Sequence, residues 1–231
     1  MCGRFVTFTV GEQLLVSLEA VPGLAPITPD GPLPGERYNI GPTMPIVALA
    51  RPDQGTGTIA ATVRWGLVPH WAREIPTTPY FNARAETWRD KPTFRDGRPC
   101  VIPMNGWYEW RDRQPYFVSL APKSATADKA PVFAVAGLWA RWGDVVSATI
   151  LTTPAVGHLE QLHHRMPRVL ADDEVAGWLD QSGWASGGDV GMTSEELVDA
   201  FSVRPVGRAV GNVANDGPHL LDDPGGQTEL L

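Results

Sequence analysis

Arg98-Pro99-Cys100-Val101-Ile102, Trp107-Tyr108-Glu109-Trp110-Arg111 and Tyr116-Phe117-Val118-Ser119-Leu120 follow one another in quick succession. Each is a five-residue run rich in β-branched or aromatic side chains, the pattern of a short strand. Outward from this stretch the same reading gives strands over 3–8, 46–50, 58–67, 132–138, 145–151 and 168–170. Gln54-Gly55-Thr56-Gly57 reads as a hairpin tip between two of them. The 24 glycines and 22 prolines cut the chain into short pieces, which favours many strands and turns over long helices.

Helices are few. Leu14, Leu15 and Leu18 share one side of a helix over 12–20. A short helix is expected over 154–162, with Thr153 as N-cap and Pro154 at its first position. Another, over 172–179, opens with three acids that suit the positive end of the helix dipole. Thr193-Ser194-Glu195-Glu196 has capping-box form ahead of Leu197. Five prolines make 22–35 a loop, and the polar stretch 216–231 reads as a loose tail. The expectation is one α+β domain spanning residues 1–231, mostly strand.

With 43% hydrophobic and 19% charged residues, the 231-residue chain can bury a substantial core. No apolar run reaches the ~20 residues of a membrane span, and no secretory signal is visible at the N-terminus. Two cysteines exclude a disulfide framework and suit a reducing cytosol, with Cys100 read as a buried, inert thiol. A cytoplasmic monomer is expected. The net charge of −7 is unevenly spread: residues 1–117 carry +1 and residues 118–231 carry −8. Eleven of the twelve cations in the first half are arginine, the better partner for phosphate. Binding of nucleic acid through one face is therefore compatible with an acidic whole.

Met1-Cys2-Gly3-Arg4 is the first candidate for chemistry. Removal of Met1 leaves an α-amine and a thiol on one residue, a pair able to close a thiazolidine ring on an aldehyde carbon. Taken alone, Cys2 reads equally as a small residue at a frayed end. Asn82 alone reads as a turn cap. Glu109, between Trp107, Tyr108 and Trp110, is either a solvated outward side chain or a desolvated acid suited to proton transfer. His163 and His164 lack Cys-x-x-Cys company and make a poor ligand set, so no metal and no cofactor is expected. Trp71 and Trp107 are by default core residues.

Together, Met1-Cys2-Gly3-Arg4-Phe5, Tyr38-Asn39-Ile40-x-Pro42-Thr43, Arg64-Trp65-Gly66-Leu67, Asn82-Ala83-Arg84-Ala85-Glu86-Thr87, Gly106-x-Tyr108-Glu109-Trp110 and His163-x-Arg165-Met166-Pro167 closely resemble the SOS-response-associated peptidase family. Its members process abasic sites and crosslink themselves to damaged single-stranded DNA. The resemblance implies a curved, barrel-like mixed β core with peripheral helices. It implies Cys2 as nucleophile, Asn82 as the residue that holds it, Glu109 as acid/base and His163 as the group that opens the sugar. It further implies contacts to DNA from Arg4, Asn39, Pro42, Arg84 and Arg165, with Trp71 and Trp107 as aromatic neighbours of the lesion. His164 stands where an acid is common in the family. The implied activity is a thiazolidine crosslink to abasic single-stranded DNA, with self-removal of the residue before Cys2. The alternatives are an N-terminal-nucleophile cysteine amidohydrolase and a non-catalytic single-strand-binding module.

Overall fold

Short β-prone runs can be stable only when many of them pair, and the structure shows two sheets doing so. It is a computed structural model describing residues 2–121, 130–181 and 191–224. In chain order the elements are β1 (Arg4–Thr7), α1 (Gly11–Glu19), β2 (Ile27–Asp30), β3 (Arg37–Ile40), β4 (Pro45–Ala50), β5 (Thr58–Trp65), β6 (Asn82–Arg84), β7 (Arg98–Met104), β8 (Gly106–Arg111), β9 (Gln114–Leu120), β10 (Phe133–Trp142), β11 (Val145–Pro154), β12 (Arg165–Pro167), β13 (Val169–Leu170), α2 (Asp172–Leu179), α3 (Glu195–Asp199) and β14 (Phe201–Pro205).

One sheet, in the order β14-β9-β8-β1-β3, is antiparallel throughout. The other closes on itself: β11-β10-β7-β4-β5 returns to β11 through a parallel pairing of Ser147 with Arg64 and Ala148 with Trp65. The fold is thus α+β, a closed mixed barrel with an antiparallel sheet against it and helices at the periphery. Closure gives each of the five barrel strands a neighbour on both sides, which leaves edges only to the short outer strands. The core between the two sheets contains Phe5, Trp65, Ile102, Met104, Trp107 and Phe133. A second core packs Leu14 and Leu18 of α1 and Val175, Trp178 and Leu179 of α2 on the outside of the barrel.

The chain passes from barrel to sheet at Asn105, which is fully buried. Its Oδ1 accepts from the Phe8 and Thr9 N–H groups (2.9 and 3.0 Å), and its Nδ2 donates to Thr9 Oγ1 and Ala130 O. Gly106 follows because no side chain fits: a Cβ there would lie 2.3 Å from Phe117 Cζ and 2.7 Å from Val118 O. Gly106→Ala is expected to cost about 3 kcal/mol or more through overpacking, read as a lowered urea midpoint with unchanged m-value.

Several expectations are corrected. The proline-rich stretch 22–35 contains β2, which pairs in parallel with Thr58–Ala61; Pro29 is tolerated because β2 is an edge strand. The helix expected over 154–162 is only a 3₁₀ turn, Gly157–Gln161. Thr153 and Pro154 belong instead to β11, where they pair with Met166 and Arg165. β14, absent from the sequence reading, pairs along the whole of its length with β9. The start of the expected loose tail is docked: Asp216 pairs with Arg37 (2.6 Å) and accepts from the Tyr38 N–H, and Leu220 is buried. Residues 225–231 lie outside the described residues.

Candidate functional site

Cys2 is not a frayed terminus. It is completely buried, in the core between the sheets, just ahead of β1. Its carbonyl accepts a 2.8 Å hydrogen bond from Asn82 Nδ2, and its thiol donates a long one to Arg4 O (3.9 Å). β1 runs antiparallel to β8 with Arg4 opposite Tyr108 and Phe5 opposite Trp107. One step further in that register, Glu109 comes opposite Gly3, beside Cys2. Glu109 is 5% exposed, a buried side chain and not a solvated outward one. Burial first, and the Glu109 charge second, push the Cys2 thiol well above its ordinary value of 9.0. The sulfur therefore rests as a thiol.

Asn82 opens β6, which is aligned in parallel on β11 with Asn82 beside Ile150. This places its side chain over the chain's N-terminal residues; its Oδ1 is buried and has no hydrogen-bond partner among the described residues. His163 stands just before β12. Its Nδ1 accepts from the Arg165 N–H (2.9 Å), which puts the proton of the neutral ring on Nε2. Arg165 O lies 3.1 Å from the same nitrogen, but donating to it would leave the Arg165 N–H without its acceptor. His164 is exposed and lies against His163, ring centroids 4.2 Å apart. Its pKa is lowered, first by His163, with smaller contributions from the N-terminus, Arg165 and Arg84.

The residues expected to touch DNA divide into two sets. Arg84 and Trp71 are exposed, Trp71 at 52% with its Nε1 donating to Pro92 O (3.1 Å). Pro42 is half-buried in a turn whose next residue, Thr43, has φ 78° and is exposed. The others are committed inside the protein. Asn39 is fully buried, its Nδ2 within reach of the carbonyls of Val210, Asn212 and Asn215 and its Oδ1 accepting from Arg4. Arg4 also donates to Val210 O and Gly211 O. Trp107 is 2% exposed and packs edge-on against Phe133 and Phe201, so it is core and not a platform for a base. Arg165 is 8% exposed, and Glu86 and Thr152 take up its guanidinium. Glu86 escaped the sequence reading as a partner for Arg165, because nothing in the spacing of the two residues shows that β6 and β12 flank the same strand. The fork holds the Glu86 carboxyl below its ordinary range.

The buried acids give the protein an alkaline limit. Burial raises Cys2 and Cys100 from 9.0 and Tyr108 from 10.0. Below those values both folded and unfolded chains keep these protons. Above about 9 the unfolded chain releases protons that the folded one retains, so unfolding gains free energy. The melting temperature is expected to fall between pH 8 and pH 10.5, and Cys100→Ala should make that fall shallower.

The chain is similar to known proteins along most of its length. The sequence profile of the family described as SOS response associated peptidase (SRAP) matches residues 1–213. The abasic site processing protein YoqW of Bacillus subtilis is 27% identical over 96% of this chain and 99% of its own length. The abasic site processing protein YedK of Escherichia coli is 30% identical, again over 96% of this chain and 99% of its own. A crystal structure of a protein from Bordetella bronchiseptica superposes with a TM-score of 0.69 over 89% of this chain and 100% of that one, at 23% identity. At that identity the likeness speaks for the fold. Among the described residues no helix is long and apolar enough to cross a membrane.

Proposed function

Because the chain belongs to the SOS response associated peptidase family, we propose that it recognises abasic sites in single-stranded DNA and shields them by a covalent thiazolidine link through Cys2. The observation that carries this reading is the hydrogen bond from Asn82 to the Cys2 carbonyl, with Glu109 set beside the Cys2 thiol. An N-terminal residue held at its carbonyl, next to a buried carboxyl group, is arranged for chemistry at its amine and sulfur.

An abasic deoxyribose is in equilibrium with a ring-opened aldehyde, an electrophile absent from intact DNA. Removal of Met1, by the protein itself or by ordinary processing, frees the Cys2 amine. With a reference pKa of about 7.7–8.0, such an amine is appreciably neutral near pH 7. His163 donates a hydrogen bond from Nε2–H to the ring oxygen and so helps the sugar open, as the C1–O ring bond breaks and the proton of the C1 hydroxyl ends on the ring oxygen. The amine attacks the aldehyde carbon and a C–N bond forms; the Glu109 carboxylate relays both amine protons to the carbonyl oxygen, which leaves as water and gives the imine. The thiol then adds to the imine carbon: a C–S bond forms, the imine electron pair moves to nitrogen, and the thiol proton passes through Glu109 to that nitrogen. The net change is loss of one water from aldehyde plus aminothiol. A thiol held protonated by burial suits the second step of this order, since the amine is the stronger nucleophile at rest. The same burial disfavours the amidohydrolase alternative, which needs a readily ionised thiol from the start.

Exposed Arg84 supplies a salt-dependent grip on phosphate, and exposed Trp71 offers a face for an unpaired base. Arg165 contributes by holding His163 in place. Mixing the processed protein with a single-stranded oligonucleotide carrying one abasic site should give a one-to-one conjugate that survives heat and detergent. The matching undamaged oligonucleotide should give none. Equal conjugation of both strands, or of neither, contradicts the reading.

A further inference from the structure

Two of the site's groups sit on opposite sides of one strand. β6, which carries Asn82, lies along one edge of β11, with Arg84 beside Thr152. β12, which follows His163, lies along the other, with Arg165 opposite Pro154. The Arg165 side chain spans the strand between them. Its two terminal nitrogens meet the two carboxylate oxygens of Glu86, Nη2 at 2.9 Å from Oε2, and Nη2 also donates to Thr152 O and to Thr152 Oγ1 (3.1 Å). Thr152 O in addition accepts from the Ala85 N–H (2.9 Å), so the backbone next to Glu86 is tied to the same carbonyl. From the main chain of Arg165 the N–H runs to His163 Nδ1. A carboxylate on the β6 side thus holds a guanidinium on the β12 side, and the residue bearing that guanidinium sets the imidazole's tautomer.

We propose that Glu86 is a positioning residue for lesion capture: its fork with Arg165 braces β6 against β12 across β11, keeping Asn82 on the Cys2 carbonyl and His163 in the Nε2–H form. The inference rests on the reading given under Proposed function. Glu86 touches none of the reacting atoms; it acts through Arg165. The geometry also explains why the carboxylate cannot be dispensed with. Arg165 is buried, and a buried guanidinium deprived of its carboxylate leaves an uncompensated charge that the local backbone relaxes to hydrate. Such relaxation moves the Arg165 N–H, and with it the fixed orientation of His163. Displacements of about 1 Å at a positioned group are enough to slow chemistry severely.

Three proteins, wild type, Glu86→Gln and Glu86→Asp, separate this role from a purely structural one. Nitrogen NMR of ¹⁵N-histidine-labelled protein reads the His163 tautomer without DNA. Single-turnover conjugation with abasic single-stranded DNA reads the reaction. Glu86→Gln, close in shape and without the charge, is expected to populate both tautomers and to slow conjugation about tenfold or more. Its affinity for the undamaged strand should not fall, because a negative charge has been removed. Glu86→Asp, which keeps the charge, should recover most of the rate and the single tautomer. An unchanged His163 signal in Glu86→Gln overturns the inference, whether or not the rate falls. If the wild type forms no conjugate, the functional reading fails by itself, and the tautomer measurement still decides whether Glu86 braces the site.

Discussion

Cys2→Ala is expected to abolish the heat-stable conjugate altogether while leaving binding to single-stranded DNA in place. The side chain is small and fully buried, so its loss removes one sulfur from a packed position and costs stability only modestly, about 1 kcal/mol. The amine remains and can still form an imine, but nothing closes the ring, and a bare imine hydrolyses on denaturation. Cys2→Ser should fall between the two: its hydroxyl can close an oxazolidine, which reopens more readily than the sulfur ring. The measurement is the fraction of labelled abasic strand retained on protein after boiling. Equal, durable yields from the wild type, Cys2→Ala and Cys2→Ser would contradict the scheme.

The second large effect belongs to Glu109→Gln. The carboxyl group is buried beside Cys2, and it is the group proposed to deliver and collect protons at two successive steps. Loss of a positioned acid/base slows a reaction by about 10²–10⁴-fold, so conjugation should drop by that order in single-turnover time courses. A second readout should move the opposite way. The Glu109 charge contributes, after burial, to raising the Cys2 thiol, so its removal favours the thiolate. Slow alkylation of Cys2 by a small reagent, followed from pH 8 to pH 10, should become faster in Glu109→Gln. A protein that is merely unfolded would also alkylate faster, but it would lose DNA binding; this variant should keep it.

The strand-rich character was legible because β7, β8, β9, β10 and β11 are long enough to display their own apolar and β-branched pattern. The first two α-helices were legible for a similar reason, Leu14 and Leu18 marking one face and three acids opening the other. What escaped reading were the three- to five-residue arms β2, β3, β6, β12 and β14, which have no pattern to show and exist because another strand offers them an edge. Their absence mattered for the site, since β6 and β12 carry Asn82 and the partner of His163. Residue types alone could not separate Asn39 and Trp107 from surface contacts. Asn39 is consumed by carbonyls more than 170 residues away in the chain, and Trp107 by an aromatic cluster assembled from three strands. Cys2 shows the converse. The chemistry proposed for it starts from its place at the terminus, but its burial, and the protonated state that burial imposes, follow from the way β1 enters the sheet between β8 and β3.

Tandem mass spectrometry of the conjugate locates the bond. The predicted spectrum shows a terminal fragment that begins at residue 2, lacks Met1, and carries the sugar remnant at a mass one water below the sum of its parts, with no free thiol left to alkylate. A conjugate that keeps Met1, or one attached through any side chain other than that of Cys2, would contradict it.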